Sequence, residues 1–310
     1  MQGSRKVVYA GLASNVAVMA IKLIVAILSG SSAMLAEFLH STADTGNSLL
    51  LLYGMKRSRR PADAGHRFGH GKELYFWSFV VAVSMFAVGA VLSIWEGIAH
   101  IHKPELLGDP KWSYVVLGCS AVFSAGSLVI SVREANRRKG SGTLVEFIRR
   151  SKDPTVFTVI LEDTSDVLGE VLALVAIFLA SKLHNPIFDG IGSIAVGLAI
   201  FAVSVVLANE SRGLLVGETA PSKDVERMKQ LLESDRSVER VGDLLTMQLG
   251  PDDILLNVEI EFRRDSCIDD LEQTIDRLEK RVRQEFPQVH HLFVEVARLS
   301  RAKKDLSRAS

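Results

Sequence analysis

Residues 37–47, EFLHSTADTGN, place His40 and Asp44 four residues apart, and residues 161–166, LEDTSD, repeat that spacing with Glu162 and Asp166. On an α-helix this spacing stacks each pair along one face, roughly 6 Å apart. If the two faces meet, one imidazole and three carboxylates converge. Both pairs lie in long apolar stretches, where an ionised carboxylate costs on the order of 3 kcal/mol. Three of them together would repel. A bound divalent cation supplies the missing positive charge, and four ligands of mixed nitrogen and oxygen type suit a tetrahedral site. Hydrogen bonding between helices is an equal alternative for a single intramembrane carboxylate, but two matched pairs argue for the metal.

A second constellation lies in RRPADAGHRFGHGKE, where Asp63, His66 and His70 follow one another at spacings of three and four. It is a candidate for a second metal site in a loop, with Gly65, Gly69 and Gly71 permitting tight backbone. Spacing alone leaves a solvated loop with incidental histidines equally open. His100, His102 and His184 fall near the opposite ends of their segments and are not assigned as ligands. His290 and His291 are adjacent, so on a strand they point to opposite faces and do not readily share one ion. Asn15, Lys22, Glu37, Asn47, Glu96, Asp163 and Glu170 are further polar residues within apolar segments. They are candidates to line a water-filled path or to snorkel at segment ends, and none is assigned as a ligand.

The elements that must position these groups follow from hydropathy. The chain has 310 residues, 48% of them hydrophobic, with 36 basic and 36 acidic residues. The neutral total averages two different regions: apolar runs fill the part before about residue 210, and charge crowds the part after it. A crossing of the hydrocarbon core takes roughly 20 apolar residues, and six segments qualify, near 7–29, 32–55, 74–100, 112–133, 155–181 and 187–209. Two connections are rich in Arg and Lys and the others are not, so the positive-inside rule places the basic loops and both termini in the cytoplasm. The expected membrane is the cytoplasmic (inner) membrane of a bacterium. The matched motifs in the second and fifth segments hint at two related halves that meet at a common site.

After residue 213 the periodicity changes. Two amphipathic helical stretches and three alternating ones give an αββαβ order, with GPDD as a hairpin turn, which reads as a small two-layer α+β domain of ferredoxin-like type. The expected organisation is a transmembrane transport domain over 1–212, a cytoplasmic dimerisation domain over 213–300 and a disordered tail over 301–310. The two cysteines, Cys119 and Cys267, have no CxxC spacing, and no disulfide is expected. Nothing resembles a basic, aromatic-studded nucleic-acid surface. No HExxH or nucleophile–base set argues for an intramembrane enzyme.

Taken together, HSTAD, LEDTSD and HRFGHGKEL resemble the motifs of the cation diffusion facilitator family, and HSTADTGN with SKDPTVFTVILED is most similar to its zinc transporter 9-like branch. The resemblance covers nearly the whole chain. It implies a homodimeric exporter in membrane lipid that exchanges a divalent metal, zinc foremost, for protons by alternating access, with no tightly bound cofactor. Carried over by position, His40, Asp44, Glu162 and Asp166 are the transport site and Asp63, His66 and His70 the loop site. Glu162 stands where well-studied zinc-selective members have histidine, which leaves manganese, iron and cobalt open. The C-terminal stretches VGDLL, LLNVEIE and LFVEVAR lack the histidines with which several members bind zinc there. A passive metal channel and a non-transporting metal-dependent scaffold are the competing classes.

Overall fold

The computed structural model describes residues 2–29, 32–103, 110–138, 143–263 and 268–297. The expected disordered tail at 301–310 and Cys267 lie outside them. The chain divides into two units, Met1–Pro61 with Glu73–Arg212, and Ala62–Lys72 with Gly213–Ser310.

The first unit is helical. It contains α1 (Gln2–Ser29), α2 (Ser32–Arg57), α3 (Glu73–Ser84), a π-helical segment (Met85–Ala90), α4 (Val91–His102), α5 (Pro110–Arg138), α6 (Leu144–Arg150), α7 (Pro154–Leu183) and most of α8 (Ile187–Val216). Among the described residues, four stretches are long and apolar enough to cross a membrane: Gly3–Leu28, Glu73–His102, Ser113–Arg138 and Ile187–Val216. Four of the six expected spans are found in this way. The two that fall short, α2 and α7, have 26 and 30 residues, ample length for a crossing. They are the helices that carry the motifs, His40 and Asp44 in α2 and Glu162, Asp163, Asp166 and Glu170 in α7. Large apolar side chains stand exposed around the unit, Ile27, Leu28, Trp95 and Val122 among them. That surface matches lipid rather than water, and the protein is an integral membrane protein.

Polar contacts tie the helix ends on the side of the basic connections. Asp153 caps α7 by accepting from the Thr155 backbone N–H at 3.1 Å, with Pro154 at the first helical position. Its other oxygen accepts from Ser4 Oγ of α1 at 2.6 Å and from Arg138 of α5 at 2.9 Å. Just inside this layer an apolar cluster of Val7, Val8, Leu51, Met55, Leu74 and Val159 joins α1, α2, α3 and α7. The second basic connection, read from sequence as a loop, contains α6, whose start Thr143 caps by accepting from the Glu146 N–H.

The second unit has the expected αββαβ order: α9 (Ser222–Glu233), β1 (Val238–Gly250), β2 (Asp253–Phe262), α10 (Ile268–Glu285) and β3 (Val289–Val296). The sheet order is β1-β2-β3, with β1 and β2 antiparallel across the Gly250–Asp253 turn and β3 parallel to β2 after the α10 crossover. Ile254, Leu256, Val258 and Ile260 alternate along β2 into a core shared with Met228, Leu232, Leu278 and Val282. Residues 62–72, separated from this unit in sequence, pack on it. A Cβ on Gly71 would lie 2.5 Å from the Leu249 carbonyl oxygen, so the loop backbone meets β1 where only glycine fits. The Phe68 ring meets His291 edge-on at 5.0 Å.

Candidate metal centres

The helical unit encloses a cavity lined by His40 and Asp44 of α2, Asp166 and Glu170 of α7, Glu96 of α4 and Asp189 of α8. It also reaches Asn15 and Lys22 of α1. His40 Nε2 lies 3.9 Å from Asp44 Oδ2, as the four-residue spacing requires. Asp44 interacts electrostatically with both Glu162 and Asp166, so the motifs of α2 and α7 do face each other. Glu162 is placed differently from its three partners. It is 3% exposed and does not line the cavity. The four side chains therefore do not close into one tight ligand set. Three line the cavity and the fourth lies buried beside Asp44.

Helical geometry sorts the acidic run of α7. Asp163, one residue from Glu162, is turned by about 100° and is committed to α5, accepting from Ser127 Oγ at 2.7 Å and Ser131 Oγ at 3.4 Å. On α2, Asn15 of α1 donates to the Asp44 carbonyl at 3.3 Å and to Ser48 Oγ at 3.1 Å. These bonds fix how α7 and α2 are rotated. Gly89 of the π-helical segment lies against the site as well, since a Cβ there would be 2.9 Å from Ile200 and 3.8 Å from the His40 ring. The Glu37 side chain falls outside the described residues.

The loop constellation closes. Asp63, His66 and His70 are, among the described residues, the group of three whose ligand atoms all lie within 4.8 Å of one another. His66 Nδ1 is 3.3 Å from Asp63 Oδ1 and His70 Nε2 is 3.0 Å from Asp63 Oδ2. The backbone N–H groups of Gly65 and His66 both donate to Asp63 Oδ1 at 2.8 Å. The hydrogen bond from His70 first, and then those N–H groups, hold the Asp63 carboxyl well below the usual carboxylate range. It is ionised, and ready to ligate, at any physiological pH. His70 is 7% exposed and its Nδ1 is buried without a partner.

The remaining histidines behave less uniformly than their positions imply. His100 Nδ1 lies 3.6 Å from Asp189 Oδ2. His184 ends α7 in the left-handed conformation, φ 51°, a capping role. His290 and His291 converge in spite of their alternation, with His290 Nδ1 3.2 Å from Asp253 Oδ1 and His291 Nε2 3.9 Å from Oδ2. Asp253 sits at the start of the neighbouring strand, where its carboxylate reaches both. The three do not close within 4.8 Å.

Two family models match the chain, the cation efflux transmembrane domain over residues 8–216 and the cation efflux protein cytoplasmic domain over residues 220–298. The chain belongs to the cation efflux family. A relative from Xenopus laevis, "Proton-coupled zinc antiporter SLC30A9, mitochondrial", is 30% identical over 96% of the chain and 60% of its own length. "Metal tolerance protein C4" of Arabidopsis thaliana is 31% identical over 84% of the chain and 58% of its own length. "Cation-efflux pump FieF" of Serratia proteamaculans is 28% identical over 74% of the chain and 72% of its own length. The chain thus spans about 60% of the length of the first relatives it matches. These relatives are cation efflux transporters, not enzymes. Their names include mitochondrial and bacterial forms, so the expected bacterial membrane is narrowed to membrane integration as such.

Proposed function

We propose that this cation efflux protein is a secondary active transporter that moves a divalent cation, zinc foremost, across its membrane in exchange for protons by alternating access. The reading rests on one observation. His40, Asp44 and Asp166 line a single cavity inside an apolar helical unit, with Glu162 buried alongside and interacting with Asp44. Such a concentration of carboxylates needs cations, either a divalent metal or protons, and the two compete because metal requires the deprotonated ligands. The cavity extends from His40 toward the ends of α4 and α8 that lie away from the basic connections, while the Val7–Leu51–Leu74 cluster closes the other side. This arrangement fits one of the two states of an alternating cycle, open to the side away from the basic loops.

In the proposed transmembrane order, α2 and α7 complete six crossings with the four apolar spans, and the basic loops and both termini face the cytoplasm. Residues 1–212 form the transport domain, and 213–300 form the domain that pairs two copies. Asp63, His66 and His70 hold a second metal ion in the loop between α2 and α3. Zinc is favoured because His40 is retained and several relatives are named zinc antiporters. The carboxylate of Glu162 also suits manganese, ferrous iron or cobalt.

The test is metal-dependent proton flux in proteoliposomes across zinc, manganese, iron, cobalt and cadmium. Zinc entry with opposed proton movement is expected. Downhill metal flux without proton movement would identify a channel, and the absence of any flux a scaffold.

A further inference from the structure

Asn47 and Glu162 form a buried pair that the four-ligand scheme leaves half explained. Both are 3% exposed, one on α2 and one on α7. Asn47 stands close enough to Glu162 to act on its carboxylate. Glu162 Oε1 and Asn47 Oδ1 are each buried without a hydrogen-bond partner. Both atoms are acceptors, so neither can satisfy the other. Orphaned acceptors of this kind cost about 1–3 kcal/mol each, and more when ionised. A cation between them satisfies both at once.

Position supports the same conclusion. Asn47 is three residues beyond Asp44 and shares its helix face. Asp44 in turn interacts with Glu162. Asp44 lines the cavity, and Asn47 follows it one turn along α2 toward the basic end, where the Val7–Leu51–Leu74 cluster begins.

Building on the transport reading above, we propose that Asn47 is an oxygen ligand of the transported cation. Together with Asp44 and Glu162 it forms a position on the basic side of the cavity, which the ion occupies before it reaches His40, Asp44 and Asp166. An amide oxygen and two carboxylates are hard donors, suited to manganese and other oxygen-seeking ions. His40 contributes the nitrogen that favours zinc. The two positions share Asp44 and differ in selectivity, so Asn47 governs manganese affinity more strongly than zinc affinity.

The experiment compares Asn47→Leu, Asn47→Asp and Asn47→Ser with the wild type in proteoliposomes, measuring KM for zinc and for manganese. Size exclusion and thermal unfolding report folding, and Asp44→Ala serves as control. Asn47→Leu keeps the volume and removes the oxygen, and should raise the manganese KM on the order of 10-fold with a smaller change for zinc. Asn47→Asp restores an oxygen donor and should return the manganese KM to near the wild-type value. If Asn47 only steadies Glu162 by donating its N–H, Asn47→Asp will be as damaging as Asn47→Leu, equally for both metals, and the proposal fails. Wild-type KM values in Asn47→Leu overturn it too. Should Asn47→Leu not fold, Asn47→Ser against Asn47→Asp decides in the same way. An inactive Asp44→Ala with a normal Asn47→Leu removes only the Asn47 assignment, whereas an active Asp44→Ala removes the transport site itself.

Discussion

Asp44 is shared by both cation positions proposed within the helical unit, and Asp44→Asn isolates its charge because the side chain keeps its size. Its carboxylate lies 3.9 Å from His40 Nε2 and interacts with both Glu162 and Asp166. Two unit charges about 4 Å apart attract with about 4 kcal/mol at an effective dielectric of 20, and a divalent ion doubles that. Dehydration of ion and ligand offsets more than half. About 3 kcal/mol remains, on the order of a 100-fold loss of metal affinity. The substitution has the opposite sign for the empty protein, since it removes one of three mutually repelling carboxylates. Asp44→Asn should therefore unfold no more easily than the wild type without metal and be stabilised less by added zinc. The assay pairs zinc and proton flux in vesicles with thermal unfolding at graded zinc concentrations. A zinc KM within about threefold of wild type, with normal zinc stabilisation, would refute the site.

Glu162→His replaces a hard donor with imidazole and should raise the zinc-to-manganese rate ratio; an unchanged ratio at two pH values would mean that Glu162 does not set selectivity. His70→Ala, made in an Asp44→Asn background, should lower the equilibrium zinc stoichiometry by one ion, and an unaltered stoichiometry would exclude the loop site. In the C-terminal unit Asp235 accepts from Arg277 Nε and Nη2, both at 3.0 Å, which holds its carboxyl below the ordinary range. A depressed carboxyl stabilises the fold above its ordinary pKa of about 3.9 and loses that contribution as pH falls through the lower folded value. With Arg277 half exposed, solvent screening keeps the contribution of the pair modest. Asp235→Asn should thus speed hydrogen exchange of the β2 amides at pH 7, and a difference that persists at strongly acid pH would contradict the assignment.

What the sequence discloses depends on how local the cause is. The αββαβ order follows from periodicity, and the Gly250–Asp253 turn from its own residues. The capping of α6 by Thr143 and Glu146 was also present in the sequence, but a short helix between basic and Gly/Ser-rich stretches has too little apolar periodicity to stand out. The π-helical segment MFAVGA has no local signal at all; its register depends on Gly89 meeting Ile200 and His40 from other helices. Association of residues 62–72 with the C-terminal unit is likewise non-local, set by Gly71 against Leu249 and Phe68 against His291. The i, i+4 pairs disclosed His40, Asp44, Glu162 and Asp166 as candidates. They could not disclose that Glu162 lies beside Asn47 rather than in the cavity, since that depends on the depth at which α2 and α7 cross.

The polar residues of the helical unit fall into two sets, and the division explains how an apolar bundle tolerates them. Asn15 bonds to the Asp44 carbonyl and Ser48, Ser127 and Ser131 to Asp163, and Ser4 and Arg138 to Asp153. Each of these bonds joins α1 or α5 to α2 or α7, so the protein satisfies its own polar groups wherever they fix helix rotation. The second set is divided between the cavity, which His40, Asp44 and Asp166 line, and the buried Asn47 and Glu162, which do not line it. Two oxygens of that set, on Asn47 and Glu162, have no protein partner. A scaffold that can pair Asp163 with two serines could have paired these as well. In the proposed exchange, leaving them to a mobile cation makes the occupied and empty states differ in charge, which is the condition for a proton and a metal ion to replace one another at the same carboxylates.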